Sequence, residues 1–179
     1  MNILALAGSI RTAASNSALV RTAIIASPSE MNILPYRGLI ELPHFYSERD
    51  GRRLDHVVNF RAHLKASQGL LICNSDYSLD TYGMLKNALN WLLMTGDLVG
   101  MPVGLLQDSQ VGHLKCESLN EMLACMGTVI VPEACVTVNL LDFHHKNTIY
   151  SQLLAAQTFQ HLLAEFAKVV AARNTNDQS

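Results

Sequence analysis

The chain has 179 residues, 49% of them hydrophobic and 16% charged, which suits one domain with a full core and excludes a disordered chain. A net charge of −2 leaves no basic surplus for wrapping a phosphate backbone, so no nucleic-acid partner is expected. Small anions stay open as ligands, because a helix terminus binds them whatever the net charge.

The apolar run Ile3–Ala7 is too short for a signal-peptide core and has no basic residue before it. No apolar stretch reaches the roughly 20 residues of a membrane span. A cytoplasmic protein without a membrane partner is the expectation.

In chain order, Asn2–Ala7 reads as a buried strand ending at Gly8-Ser9. Ser15–Ala26 reads as a helix capped by Ser15 or Asn16, with Ala18, Leu19, Thr22, Ala23 and Ile25 on its apolar face and Pro28 as its stop. Met31–Leu34 is a second strand, and Tyr36–Gly51 is irregular. Arg53–Ser67 is a helix burying Leu54, Val57, Val58 and Leu64; Gly69–Asn74 is a third strand. A polar loop, Ser75–Tyr82, precedes a helix that starts at Gly83 and runs to Thr95. Pro102–Gln107 is a fourth strand, Asp108–His113 a loop, and Leu114–Met126 a helix closed by Gly127. Thr128–Pro132 is a fifth strand, with Cys135–Val138 as its continuation. Ile149–Ala172 is a terminal helix with Leu153, Ala156, Phe159, Leu163, Phe166 and Val170 on one face. Residues 1–172 then form a single domain, and 173–179 a frayed polar tail.

Strands alternating with helices imply a parallel sheet covered on both faces. Ligands of such sheets bind beyond the carboxyl ends of the strands, near the point where strand order reverses. Three loops qualify.

The first, GSIRTAASN, joins a strand to a helix N-terminus, whose free amides and positive dipole end suit a phosphate dianion. Ser9, Ser15 and Ser17 add hydroxyls, Asn16 an amide, and Arg11 a planar cation able to grip two phosphate oxygens. The segment is neither a Walker A loop nor GxGxxG. It also reads as an ordinary capped turn with a surface arginine. In the second, Tyr77 and Tyr82 bracket a polar segment and can lie against a flat heterocycle, while Gly83 permits close backbone approach. A solvated loop before an amphipathic helix fits the same residues. In the third, QDSQVGH, Ser109 and Gly112 offer hydroxyl and backbone contacts at a ring edge.

The four cysteines lack CxxC spacing and read as small buried thiols; the seven histidines lack HExxH or HxxxH spacing. No metal site is expected.

GSIR followed by Asn16, LPHF at Leu42–Phe45 and DYSLDTYGMLKNALNWL at Asp76–Leu92 together resemble the NADPH-dependent FMN reductase family, which includes flavin, quinone, chromate and azo-dye reductases. LKNALNW is the most specific piece. The family serine before Asn16 falls at Ala14, and the family's PEYN stands here as Ser75-Asp76-Tyr77-Ser78. The resemblance implies a flavodoxin-like three-layer sandwich with a five-stranded parallel sheet, bound FMN, NADPH or NADH as co-substrate, and a homodimer or homotetramer. Its interface candidate is the Leu85–Leu93 helix. It implies that Ser9, Arg11 and Asn16, with Ser15 and Ser17 beside them, hold the FMN phosphate. Ser75, Asp76, Tyr77, Ser78, Gly83, Ser109 and Gly112 then surround the ring. Hydride chemistry belongs to flavin N5, so no catalytic side chain is required. The electron acceptor is a flavin, quinone or similar small molecule. A flavodoxin-like electron carrier and a flavin-binding regulatory module are the alternatives.

Overall fold

Short β-rich apolar runs separated by amphipathic segments settle into a parallel sheet between two helical layers. The computed structural model describes residues 1–7, 15–48, 51–74, 79–108, 113–138 and 149–176. Its strands are β1 (Asn2–Ala7), β2 (Asn32–Tyr36), β3 (Gly69–Asn74), β4 (Pro102–Asp108) and β5 (Val129–Val138). Its α-helices are α1 (Ser15–Ala26), α2 (Asp55–Lys65), α3 (Leu79–Leu93), α4 (His113–Cys125) and α5 (Ile149–Asn176). Two 3-10 turns, Gly38–Glu41 and Gly51–Arg53, lie between β2 and α2.

All pairings are parallel, in the order β2-β1-β3-β4-β5. The chain therefore steps to one side of β1 and then back across it. Right-handed crossovers put helices of opposite steps on opposite faces. Two separate cores result. Leu4, Leu70, Ile72 and Leu105 face α2, α3 and α4. Ile3, Ala5, Leu71 and Leu106 face α1 and α5. This is the flavodoxin-like three-layer arrangement expected from the sequence.

Several details differ from the sequence reading. Among the described side chains of α1 the buried ones are Leu19, Val20, Ala23 and Ala26, while Ile25 is 82% exposed. At 3.6 residues per turn, Ile25 lies on the far side from Ala23. On α2, Phe60 is fully buried and Val58 is exposed, because the stripe runs Val57, Phe60, Leu64. The third helix begins at Leu79, so Gly83 lies inside it rather than at its start. Asp80 falls in the first turn, where the helix dipole favours an acidic residue. The last helix continues to Asn176, past Ala172. Arg173 there points Nη1 at Met101 Sδ (3.7 Å) and Nη2 at the Val99 carbonyl (3.5 Å).

The fifth strand is one element with an irregularity. Val103 pairs with Ile130 but Leu105 pairs with Cys135, so the segment around Pro132 bulges out of the ladder. An edge-strand bulge is where a sheet tolerates proline. Cys135 Sγ donates to the Val131 carbonyl across it at 3.3 Å. Of the cysteines, Cys73 is buried, but Cys125 and Cys135 are exposed, contrary to expectation; Cys116 lies outside the residues whose side chains are described. Cys125 falls in the last turn of α4 and Cys135 on the edge strand β5, where both meet solvent.

Among the described residues no helix is long and apolar enough to cross a membrane, and no group of three or more His, Cys, Asp or Glu could hold a metal.

Candidate functional site at the carboxyl edge of the sheet

Register fixes where the three loops begin. Ala7 at the end of β1 pairs with Cys73 of β3. Asn74 at the end of β3 pairs with Gln107 of β4. Neighbouring strands are about 4.8 Å apart, so the roots of the three loops fall within ~10 Å on one sheet edge. Between β1 and β3 the strand order reverses, and this is the crevice where open α/β sheets of order 2-1-3-4-5 take their ligand.

The candidate residues distribute around this crevice as follows. Ser9, Arg11, Ser75, Asp76, Tyr77, Ser78, Ser109 and Gly112 lie outside the described residues. Ser15, Asn16 and Ser17 form the first turn of α1, so their backbone amides belong to the helix end that opens on the β1 root. Gly83 is exposed in the second turn of α3, and among the described residues no heavy atom beyond its chain neighbours and its own helix backbone lies within 4 Å of where a Cβ would stand.

One side chain at this edge was not singled out in the sequence. Gln107 is 9% exposed, and its Nε2 is, among the described residues, the one buried side-chain nitrogen or oxygen without a hydrogen-bond partner. Buried amides are nearly always paired, so this donor marks a place where a partner belongs. A polar residue inside the strand run PVGLLQD was the available signal.

The LPHF and LKNALNW segments meet each other. Asn87 Oδ1 accepts the Phe45 backbone N–H at 2.8 Å, and Asn87 Nδ2 donates to the Pro43 carbonyl at 3.0 Å. Trp91 Nε1 donates to the same carbonyl at 2.9 Å, and the Phe45 ring stands edge-on to Trp91 at 5.1 Å. Trp91 is 2% exposed. These residues hold the connection after β2 against α3, the helix that leaves the second loop.

Beside them lies a cavity of about 310 Å³, lined by Phe45, Val57, Arg61, Trp91, Met94 and Thr95 among others. It flanks the carboxyl half of α3, a 15-residue helix, so ~20 Å of helix runs between this region and the loop roots. Of the arginines that line it, Arg61 is committed: its Nε meets Asp97 Oδ2 at 2.5 Å, and Thr95 Oγ1 donates to the same oxygen at 2.7 Å. Burial raises the Asp97 carboxyl, but the hydrogen bonds from Arg61 and Thr95 and the charges of Arg61 and Lys65 outweigh it. Asp97 therefore ionises below the ordinary carboxylate range.

Comparison with known proteins agrees with this architecture. The model of a family described as NADPH-dependent FMN reductase matches residues 1–141, which include β1 to β5 and all three loops. An NADPH azoreductase of Bacillus sp. is 32% identical over 89 residues, covering 50% of this chain and 49% of that protein. The chain thus aligns with about half the length of that relative. A quinone reductase of Escherichia coli is 27% identical over 139 residues, 73% of each chain. Among solved structures, FerB, a flavoenzyme NAD(P)H:(acceptor) oxidoreductase from Paracoccus denitrificans, superposes with a TM-score of 0.76 at 17% identity, covering 96% of this chain and 97% of that one. An archaeal flavodoxin superposes with a TM-score of 0.56 at 10% identity, covering 93% of this chain and 99% of that one. These superpositions concern the fold.

Proposed function

Since the chain belongs to the NADPH-dependent FMN reductase family, we propose that it is an NAD(P)H-dependent reductase that holds FMN at the β1/β3 crevice. The acceptor proposed is a flavin, quinone, azo compound or similar small molecule. The observation that carries the reading is the convergence of the three loop roots at the strand-order reversal, in a chain whose family match spans all three loops.

In this proposal the first turn of α1 turns its free amides toward the FMN phosphate, with Ser15, Asn16 and Ser17 in that turn. Ser9 and Arg11 close the loop around the same group, Arg11 as a bidentate cation. Ser75 to Ser78 and Ser109 to Gly112 enclose the ring, and the open space at Gly83 leaves room beside it. Bound FMN supplies the hydride chemistry at its N5. The chain's own residues position the two substrates and exclude water, so no side chain is assigned to catalysis. A cytoplasmic homodimer or homotetramer completes the proposal; light scattering on a sizing column checks the assembly.

The test is a visible spectrum of the purified protein before and after adding FMN, followed by NADPH and NADH consumption with a quinone. The expected result is a yellow protein that turns over a nicotinamide. A colourless protein that takes up no FMN overturns the reading. FMN uptake without nicotinamide oxidation would make it a carrier or a binding module instead.

A further inference from the structure

Gln107 occupies the penultimate position of β4, an interior strand, between Asn74 of β3 and Thr137 of β5. By strand alternation it shares a face with Val103 and Leu105, whose side chains belong to the core under α2, α3 and α4. An apolar residue would fill such a position without cost. The chain instead keeps a primary amide there, nine-tenths buried, with Nε2 unpartnered. Leaving a buried donor unmade is a standing penalty on the empty protein.

We infer that the Gln107 amide is held in reserve as a hydrogen-bond donor to the ring end of the bound flavin. The inference rests on the proposed FMN site. Position selects the ring over the phosphate. The phosphate loop leaves β1, and β4 lies two strands away, ~10 Å across the sheet. The two loops assigned to the ring leave β3 and β4, the strands whose last pair is Asn74 and Gln107. The acceptor is a ring carbonyl or imine nitrogen, which a neutral N–H donor satisfies without burying a charge. Gln107 is thus a binding residue that trades stability of the empty protein for affinity.

The experiment compares the wild type, Gln107→Met and Arg11→Ala by melting of the flavin-free proteins and by fluorescence titration with FMN and with riboflavin, which lacks the phosphate. Gln107→Met removes the orphan donor at similar length. It is expected to raise the melting temperature of the flavin-free protein by about 2–4 °C. It is also expected to weaken FMN and riboflavin by the same factor, roughly 3- to 10-fold. Arg11→Ala is expected to weaken FMN alone. Unchanged affinities for both flavins in Gln107→Met overturn the inference. So does a lower melting temperature of the flavin-free variant, which would give Nε2 a protein partner. If Gln107→Met does not fold, Gln107→Glu keeps the shape without the donor and is held to the same affinity outcomes. A wild type that binds neither flavin removes the FMN site itself. A wild type that binds both while Gln107→Met binds them equally well removes only the role of Gln107.

Discussion

Asn87 grips the backbone of Phe45 with one end of its amide and that of Pro43 with the other, and Trp91 one turn later bonds the same Pro43 carbonyl. Two short motifs more than forty residues apart are therefore one physical unit. The proline carbonyl accepts two hydrogen bonds, and the helix supplies their donors at i and i+4, on one face. This clamp sets the path of the segment after β2 along α3.

Asn87→Ala removes one acceptor and one donor at a partly buried site, and is expected to cost about 1–3 kcal/mol in denaturant unfolding. Trp91 is the only tryptophan of the chain, so its emission reports the clamp directly. A loosened clamp admits water around the indole and shifts native emission to the red. An unchanged spectrum together with unchanged stability would mean that the two hydrogen bonds contribute nothing to holding this segment.

The clamp also illustrates what the sequence conveys and what it does not. Gly69–Asn74 and Asn2–Ala7 are short apolar runs bounded by polar residues, and both are strands with the expected bounds. The register that aligns Ala7, Asn74 and Gln107 on one edge is a tertiary property, although strand alternation with helices already implied a parallel sheet. Local periodicity misplaced Ile25 and Val58 because an apolar residue beside a stripe reads like one inside it. It missed Phe60 for the converse reason, since the α2 stripe is set by what it packs on, here the Tyr36 ring of β2 at 4.9 Å from that of Phe60. The start of α3 was hidden by polarity: Leu79–Tyr82 look like a loop until the helix dipole is considered. Asn87 and Trp91 were visible as a motif, but their partner at Pro43 was not. Gln107 does not stand out in the sequence, because a polar residue near a strand end ordinarily faces water.

Asp97 makes a second prediction. Its side chain is 7% exposed and lies between Arg61 and Thr95, with Lys65 Nζ at 3.6 Å. Its folded-state ionisation lies below that of the unfolded chain, near 3.9 for an ordinary Asp. A lowered carboxyl stabilises the fold fully above the unfolded value and loses that contribution as pH falls through the folded value. Wild type is therefore expected to melt higher than Asp97→Asn at pH 7, and the gap should shrink as pH falls below about 4, the ordinary Asp value. A gap independent of pH would show that the effect comes from packing and not from the charge.

Gly69 opens β3 beneath the terminal helix. A Cβ there would stand 3.0 Å from Ile3 Cδ1, 3.1 Å from Phe166 Cζ and 3.1 Å from Val170 Cγ2. Phe166 and Val170 are fully buried, so neither yields freely. Alanine gains about 0.4–1 kcal/mol through the unfolded state, but overpacking costs about 1–3 kcal/mol. Gly69→Ala is expected to be destabilising by ~1 kcal/mol, and Val170→Ala in the same chain should recover part of that loss. Simple additivity of the two changes would mean that α5 does not press on this position.

The cysteines give a probe of the edge that carries the candidate site. Cys73 is fully buried on β3, and burial pushes its thiol far above the ordinary range. Burial also raises Cys135, with a hydrogen bond from the Leu105 backbone working against it and Glu133 adding to it. Cys125 is exposed near the end of α4. Since the thiolate is the reactive form, alkylation of the native protein followed by peptide mapping should mark Cys125 before Cys135 and leave Cys73 untouched. Cys73 pairs with Ala7 on one side and Leu106 on the other, directly beneath the proposed flavin crevice. Its labelling therefore requires the centre of the sheet to open, and a ligand bound across that edge stabilises the closed form by mass action. Added FMN is expected to slow Cys73 labelling in mild denaturant while leaving Cys125 unaffected. Equal slowing at both thiols would indicate a general effect of the additive, and no slowing at either would place any flavin away from the carboxyl ends of β1 and β3.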